Sequence, residues 1–178
     1  MANKQALREL QTRLAERMQA ARTQKRGQSW LAVECRGQGL LLPLEQAGEI
    51  FSLVPLLPVP HTRPWFVGVA NLRGGLHGVV DLAAFLGLPG DAPGEGAREQ
   101  QRLVAFGAAL GLNCALLVDR LAGLRSEEQL RAVADDGDAA ASRPAFATAR
   151  WIDANARVWQ TLALAALAQD EQFLAIAG

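Results

Sequence analysis

Residues 65–88, WFVGVANLRGGLHGVVDLAAFLGL, set two apolar runs against each other across Arg73, Gly74 and Gly75 and start a third directly after Asp81. Glycine accepts the positive φ that a tight hairpin turn requires, so this spacing predicts two antiparallel strands with the guanidinium of Arg73 lifted to an exposed tip. A five-donor cation held on a rigid turn is a recognition device. Asp81 closes the second strand and is placed to accept backbone N–H bonds from the first turn of a helix over residues 82–88.

Upstream of this stretch the period is also two. Leu31, Val33 and Cys35 alternate with Ala32, Glu34 and Arg36, and Gly37-Gln38-Gly39 turns the chain into Leu40, Leu42 and Leu44, which predicts a hairpin with one buried face. Residues 48–51 continue extended, after which Pro55, Pro58, Pro60 and Pro64 impose an irregular path that cannot donate ladder hydrogen bonds. Downstream, residues 89–96 (PGDAPGEG) read as a surface loop within one unit. Strands are expected at 103–106 and 113–119 around a turn at 107–111, and again at 121–124. A late hairpin at 147–152 and 157–162 turns at Ala154-Asn155-Ala156 and buries Trp151 and Trp159. Residues 163–176 read as helix with a break near Gln169-Asp170. Ahead of everything, residues 4–25 lack Gly and Pro and place Leu7, Leu10, Leu14, Met18 and Ala21 on one side of a helix of about six turns. Its stripe is narrow, so it is expected to dock on its own domain, a partner or a second copy of the chain. Many short strands with few helices give a mainly β protein, and periodicity leaves barrel and sandwich equally open.

Composition narrows the function classes. The chain has 178 residues, half of them hydrophobic, enough for a substantial core in one or two small domains. Its apolar runs are interrupted well before the roughly 18 residues a membrane span needs, and the N-terminus lacks a signal-peptide core, so a cytoplasmic protein without direct membrane insertion is expected. Basic and acidic residues balance at 18 each, but residues 1–26 hold seven Lys/Arg against two Glu and leave the body acidic, the wrong sign for nucleic acid. Six Phe, four Trp and no Tyr, mostly in apolar runs, offer no stacking platform for a nucleic-acid- or peptide-binding barrel. Cys35 and Cys114 sit in alternating apolar runs and read as reduced core thiols.

Catalytic constellations are weak. A Ser/His77/Asp81 hydrolase is formally possible, but no serine lies in a G-x-S-x-G elbow, and His61 and His77 sit beside Pro60 and Gly78. No phosphate-cradling glycine loop with its lysine occurs, since the lysines are Lys4 and Lys25. Asp135, Asp136 and Asp138 read as a solvated loop, and Glu127 and Glu128 as the acidic first turn of a helix capped by Ser126. No cofactor or metal is expected, and the chain is read as a non-enzyme.

Residues 64–82, with Gly68, Asn71-Leu72-Arg73-Gly74 and Val79-Val80-Asp81-Leu82, resemble the signature of CheW-like chemotaxis adaptors. The likeness extends through Ser29-Trp30-Leu31-Ala32-Val33 and Gly48-Glu49-Ile50 to Leu117-Val118-Asp119 and Glu128-Gln129-Leu130, covering residues 28–176 behind an N-terminal helical extension at 1–27. The resemblance implies two five-stranded SH3-like barrels sharing one continuous core, with a C-terminal helix. It implies a non-enzymatic scaffold that couples the cytoplasmic tip of a methyl-accepting chemoreceptor to the regulatory domain of a histidine kinase in membrane-associated arrays, in a pathway controlling type IV pilus twitching. Arg73, Asn71, Gly74 and Gly68 fall at the family's receptor surface, and Leu44, Ala47 and Glu49 at a separate kinase surface. Gly78 departs from the family's usual proline, and Ala47 is smaller than the branched residue often found there.

Overall fold

The computed structural model describes residues 27–91, 93–134 and 143–178. The expected N-terminal helix and the acidic loop of Asp135, Asp136 and Asp138 lie outside the described residues. Strands β1 (Ser29–Cys35), β2 (Gln38–Pro43), β8 (Arg120–Ser126), β9 (Leu130–Ala132), β10 (Ala147–Asp153) and β11 (Val158–Leu162) form one sheet in the order β8-β1-β2-β11-β10-β9. The second sheet takes β3 (Ala47–Ser52), β4 (Phe66–Leu72), β5 (Gly75–Asp81), β6 (Arg102–Phe106) and β7 (Cys114–Val118) in the order β3-β6-β7-β5-β4. The five-stranded unit is thus inserted in the chain between β2 and β8. The expected pair of β units is present, one with a strand more than the resemblance implied.

Three apolar cores match this nesting. Trp30, Ala32, Leu41, Leu130 and Trp159 fill the six-stranded unit, and Ala70, Leu72, Val79, Leu103 and Ala115 fill the five-stranded one. Between the sheets a larger cluster joins Leu31, Val33, Leu40 and Leu42 to Val80, Val104 and Leu116, with Phe173 at its aromatic end. The β1–β2 hairpin is therefore buried on both faces, against the expectation of one. Leu31, Val33, Cys35, Leu40 and Leu42 meet the shared core on one face, and Trp30, Ala32 and Leu41 meet the core of the six-stranded unit on the other. Trp159 is fully buried, whereas Trp151 is only half-buried and donates its indole N–H to Thr161 Oγ1 at 2.9 Å.

Glu34 is the charged exception on that hairpin. It is 6% exposed and takes bidentate hydrogen bonds from Arg120 at 2.7 and 2.8 Å and a further one from Arg157, whose guanidinium also lies over the Trp159 ring. Burial pulls its carboxyl upward, but the Arg157 and Arg120 guanidiniums outweigh it and hold the group below its ordinary value. Cys35 and Cys114 are buried free thiols, pushed up to about 12 by burial.

Turns and caps set the remaining boundaries. Cys35 pairs with Gln38, so the first hairpin turns at Arg36-Gly37, both at positive φ, and not over the expected Gly37-Gln38-Gly39. Helix α1 (Leu82–Phe85) stops short of Leu88 because Gly87, at φ 62°, lets the Gly87 and Leu88 N–H groups turn back onto the Ala84 and Ala83 carbonyls. The loop after it contains α2 (Glu95–Arg98). At the C-terminal end α3 (Leu164–Leu167) and α4 (Glu171–Leu174) are separated at the expected break, where Asp170 Oδ1 caps Phe173 N–H at 2.9 Å. Among the described residues no helix is long and apolar enough to cross a membrane.

Candidate functional site: the Arg73 corner

Leu72 pairs with Gly75 across Arg73 and Gly74, whose φ values of 50° and 82° make the two-residue turn expected from the sequence. Asn71 braces it by accepting the Gly74 N–H on Oδ1 at 2.8 Å. Arg73 projects from this corner with 76% of its side chain exposed. At the foot of the hairpin, Asp81 Oδ1 accepts from Ala84 N–H at 3.0 Å, the cap anticipated above.

The guanidinium of Arg73 is not idle. Its Nη2 lies 2.7 Å from Oε1 of Glu49, which is 43% exposed on β3. Strands β3 and β4 are the two edges of the five-stranded sheet, so this ion pair means that the sheet curls enough to bring side chains from its two ends within reach of each other. The residues expected on two separate surfaces are therefore joined by an ion pair.

The other expected site residues divide by burial. Leu44 is 42% exposed, but Ala47 is half-buried with its methyl against the shared core. Gly68 is buried and packs for its own reason: at φ 134°, a Cβ there would come within 2.4 Å of the Leu57 carbonyl oxygen. That oxygen accepts the Val69 N–H at 2.9 Å while Leu57 N–H donates to Val69 O at 2.8 Å.

This bridge shows what the sequence reading missed. Ala70 and Leu72 point into the five-stranded core, so Val69 and Asn71 face outward. Leu57 is paired with Val69, and Leu76 with Asn71, which puts Leu57 and Leu76 on that same outer face at 69% and 64% exposure. They set exposed apolar side chains on either side of β4, near the turn that carries Arg73. Counting alternation outward from Leu72 would have found Leu76, whereas nothing local announces Leu57, whose strand-like pairing is non-local.

The catalytic alternative gains no geometry. His77 Nδ1 lies 3.0 Å from the Gly75 carbonyl oxygen, and the Asp81 carboxylate is engaged by α1. Among the described residues no group of His, Cys, Asp and Glu side chains could hold a metal ion.

Comparison with known proteins bears on this arrangement. The CheW-like domain family matches residues 29–172. Protein PilI of Pseudomonas aeruginosa is 30% identical over 100 residues, covering 55% of this chain and 53% of PilI, so the match spans about half the length of that curated relative. In fold, the crystal structure of the scaffolding protein TtCheW from Thermoanaerobacter tengcongensis superposes with a TM-score of 0.61 at 16% identity, over 76% of this chain and 88% of that one.

Proposed function

The chain belongs to the CheW-like domain family, and from that premise we propose that it is a non-enzymatic scaffold coupling the cytoplasmic tip of a chemoreceptor to the regulatory domain of a histidine kinase. The pathway proposed is the one controlling type IV pilus twitching, on the strength of the partial likeness to PilI. The observation that carries the reading is the Arg73–Glu49 ion pair, since one residue belongs to the proposed receptor surface and the other to the proposed kinase surface. An acidic group on the receptor tip would compete with Glu49 for Arg73. The carboxylate released or retained by that competition stands where the kinase is proposed to bind. An exposed ion pair of this kind is worth up to about 1 kcal/mol, enough to change a partner's affinity about fivefold without enzymatic chemistry.

Co-sedimentation with a receptor cytoplasmic fragment, and pull-down with a kinase regulatory domain, test the assignment. Arg73→Ala is expected to weaken receptor capture and Glu49→Ala to weaken kinase capture, each with an unchanged melting profile. Normal receptor capture by Arg73→Ala would overturn the reading.

A further inference from the structure

Residues 176–178 follow the six-stranded unit in the chain, yet their backbone is spent on the five-stranded one. Arg63 N–H donates to the Ile176 carbonyl at 2.8 Å, Gly178 N–H donates to the His61 carbonyl at 3.0 Å, and Thr62 and Ala177 form an antiparallel bridge. The fit is close, because a Cβ on Gly178 would sit 3.1 Å from the Thr62 carbonyl. His61 holds φ 58°, an uncommon conformation for a residue other than glycine, at the point where the chain turns into this pairing. The clasped residues end a strap that begins at Leu57, and Thr62 Oγ1 ties the strap to itself by donating to Val59 O at 2.9 Å. The other end of the strap is the reciprocal Leu57–Val69 pair on the outer edge of β4, four residues before Arg73.

We propose that residues 176–178 position the Arg73 hairpin: by clasping residues 61–63 they hold the strap against β4 and so fix the corner that meets the receptor. This rests on the receptor reading above. Proline-rich strap backbone has few ladder bonds of its own: besides the Arg63 carbonyl, which accepts the Phe66 N–H at 2.9 Å, the clasp and the Leu57–Val69 pair hold it in place, so loss of one loosens the other. Side chains matter little here, since the clasp is made by main-chain groups. Ile176→Ala should therefore be neutral, whereas Gly178→Pro, which deletes one donor, or removal of residues 176–178 should not.

Two measurements on the full chain decide the matter. Native-state hydrogen exchange is expected to show the Leu57 and Val69 amides opening at least about tenfold faster in Gly178→Pro and in the shortened chain, with β6 and β7 amides unmoved. Capture of a chemoreceptor cytoplasmic fragment is expected to weaken at least about threefold in the same variants and to remain normal in Ile176→Ala. Unchanged exchange at Leu57 and Val69 overturns the clasp, as does faster exchange with undiminished capture. Arg73→Ala run alongside separates the two ideas: if it captures receptor normally, the receptor reading has failed, and the exchange result alone then judges the clasp.

Discussion

Glu34 shows at the residue scale why burial and charge must be weighed together. Arg120 and Arg157 remain 53% and 34% exposed, so in Glu34→Gln they would recover water and leave no fully buried cation. The expected loss is about 1–3 kcal/mol, below the 3–5 that breaking a fully buried pair costs, and urea unfolding at pH 7 measures it. The pH dependence has a definite sign. Because the folded carboxyl lies below its ordinary value of 4.5, its contribution is complete above that pH and disappears as pH falls through the folded value. Stability curves of the native chain and Glu34→Gln should therefore stay apart through pH 4.5 and converge only as pH falls through the lower folded value. Simple alternation assigned Glu34 to a solvent face. Its burial depends on arginines 86 and 123 positions away, a separation no local pattern encodes. Arg73 was legible for the opposite reason, since a two-residue turn is specified by its own glycine and strand ends.

The hairpin of β4 and β5 carries its predictions at the scale of the element. Gly74 and Gly68 both hold positive φ, but a Cβ on Gly74 meets open space while one on Gly68 meets the Leu57 carbonyl. Gly74→Ala should cost about 1–2 kcal/mol from backbone strain alone. Gly68→Ala should cost more and should also speed exchange at Leu57 and Val69, because the strap must move away to admit the methyl. Leu76→Ser separates folding from recognition: as an exposed outer-face residue it should leave stability within about 0.5 kcal/mol, yet weaken receptor capture if the exposed apolar side chains near Arg73 are used. The element was largely readable beforehand, including turn, strand pair and Asp81 cap. Its neighbour Leu57 was hidden behind prolines that advertise irregularity.

For the whole molecule, the shared core sets cooperativity. Phe173 is 2% exposed, stacks on Phe106 at 5.8 Å and Trp65 at 6.2 Å, and meets Phe85 edge-on at 5.1 Å, so it ties the C-terminal helices to the five-stranded unit. Phe173→Ala should cost about 3–5 kcal/mol, and the two units should unfold in one step, with tryptophan fluorescence and β6–β7 exchange shifting by the same denaturant increment. The mainly β character could be read from strand spacing, but the order β8-β1-β2-β11-β10-β9 could not, since pairing strands from opposite ends of a chain leaves no local trace. That order has a consequence during synthesis. The ribosome releases β1 and β2 long before β8 and β11, their partners on either side, have been made, so a hairpin apolar on both faces must wait with its edges unpaired. Nascent chains halted before β8 has left the ribosome should accordingly recruit chaperones through β1 and β2, a burden relieved only when the final strands emerge.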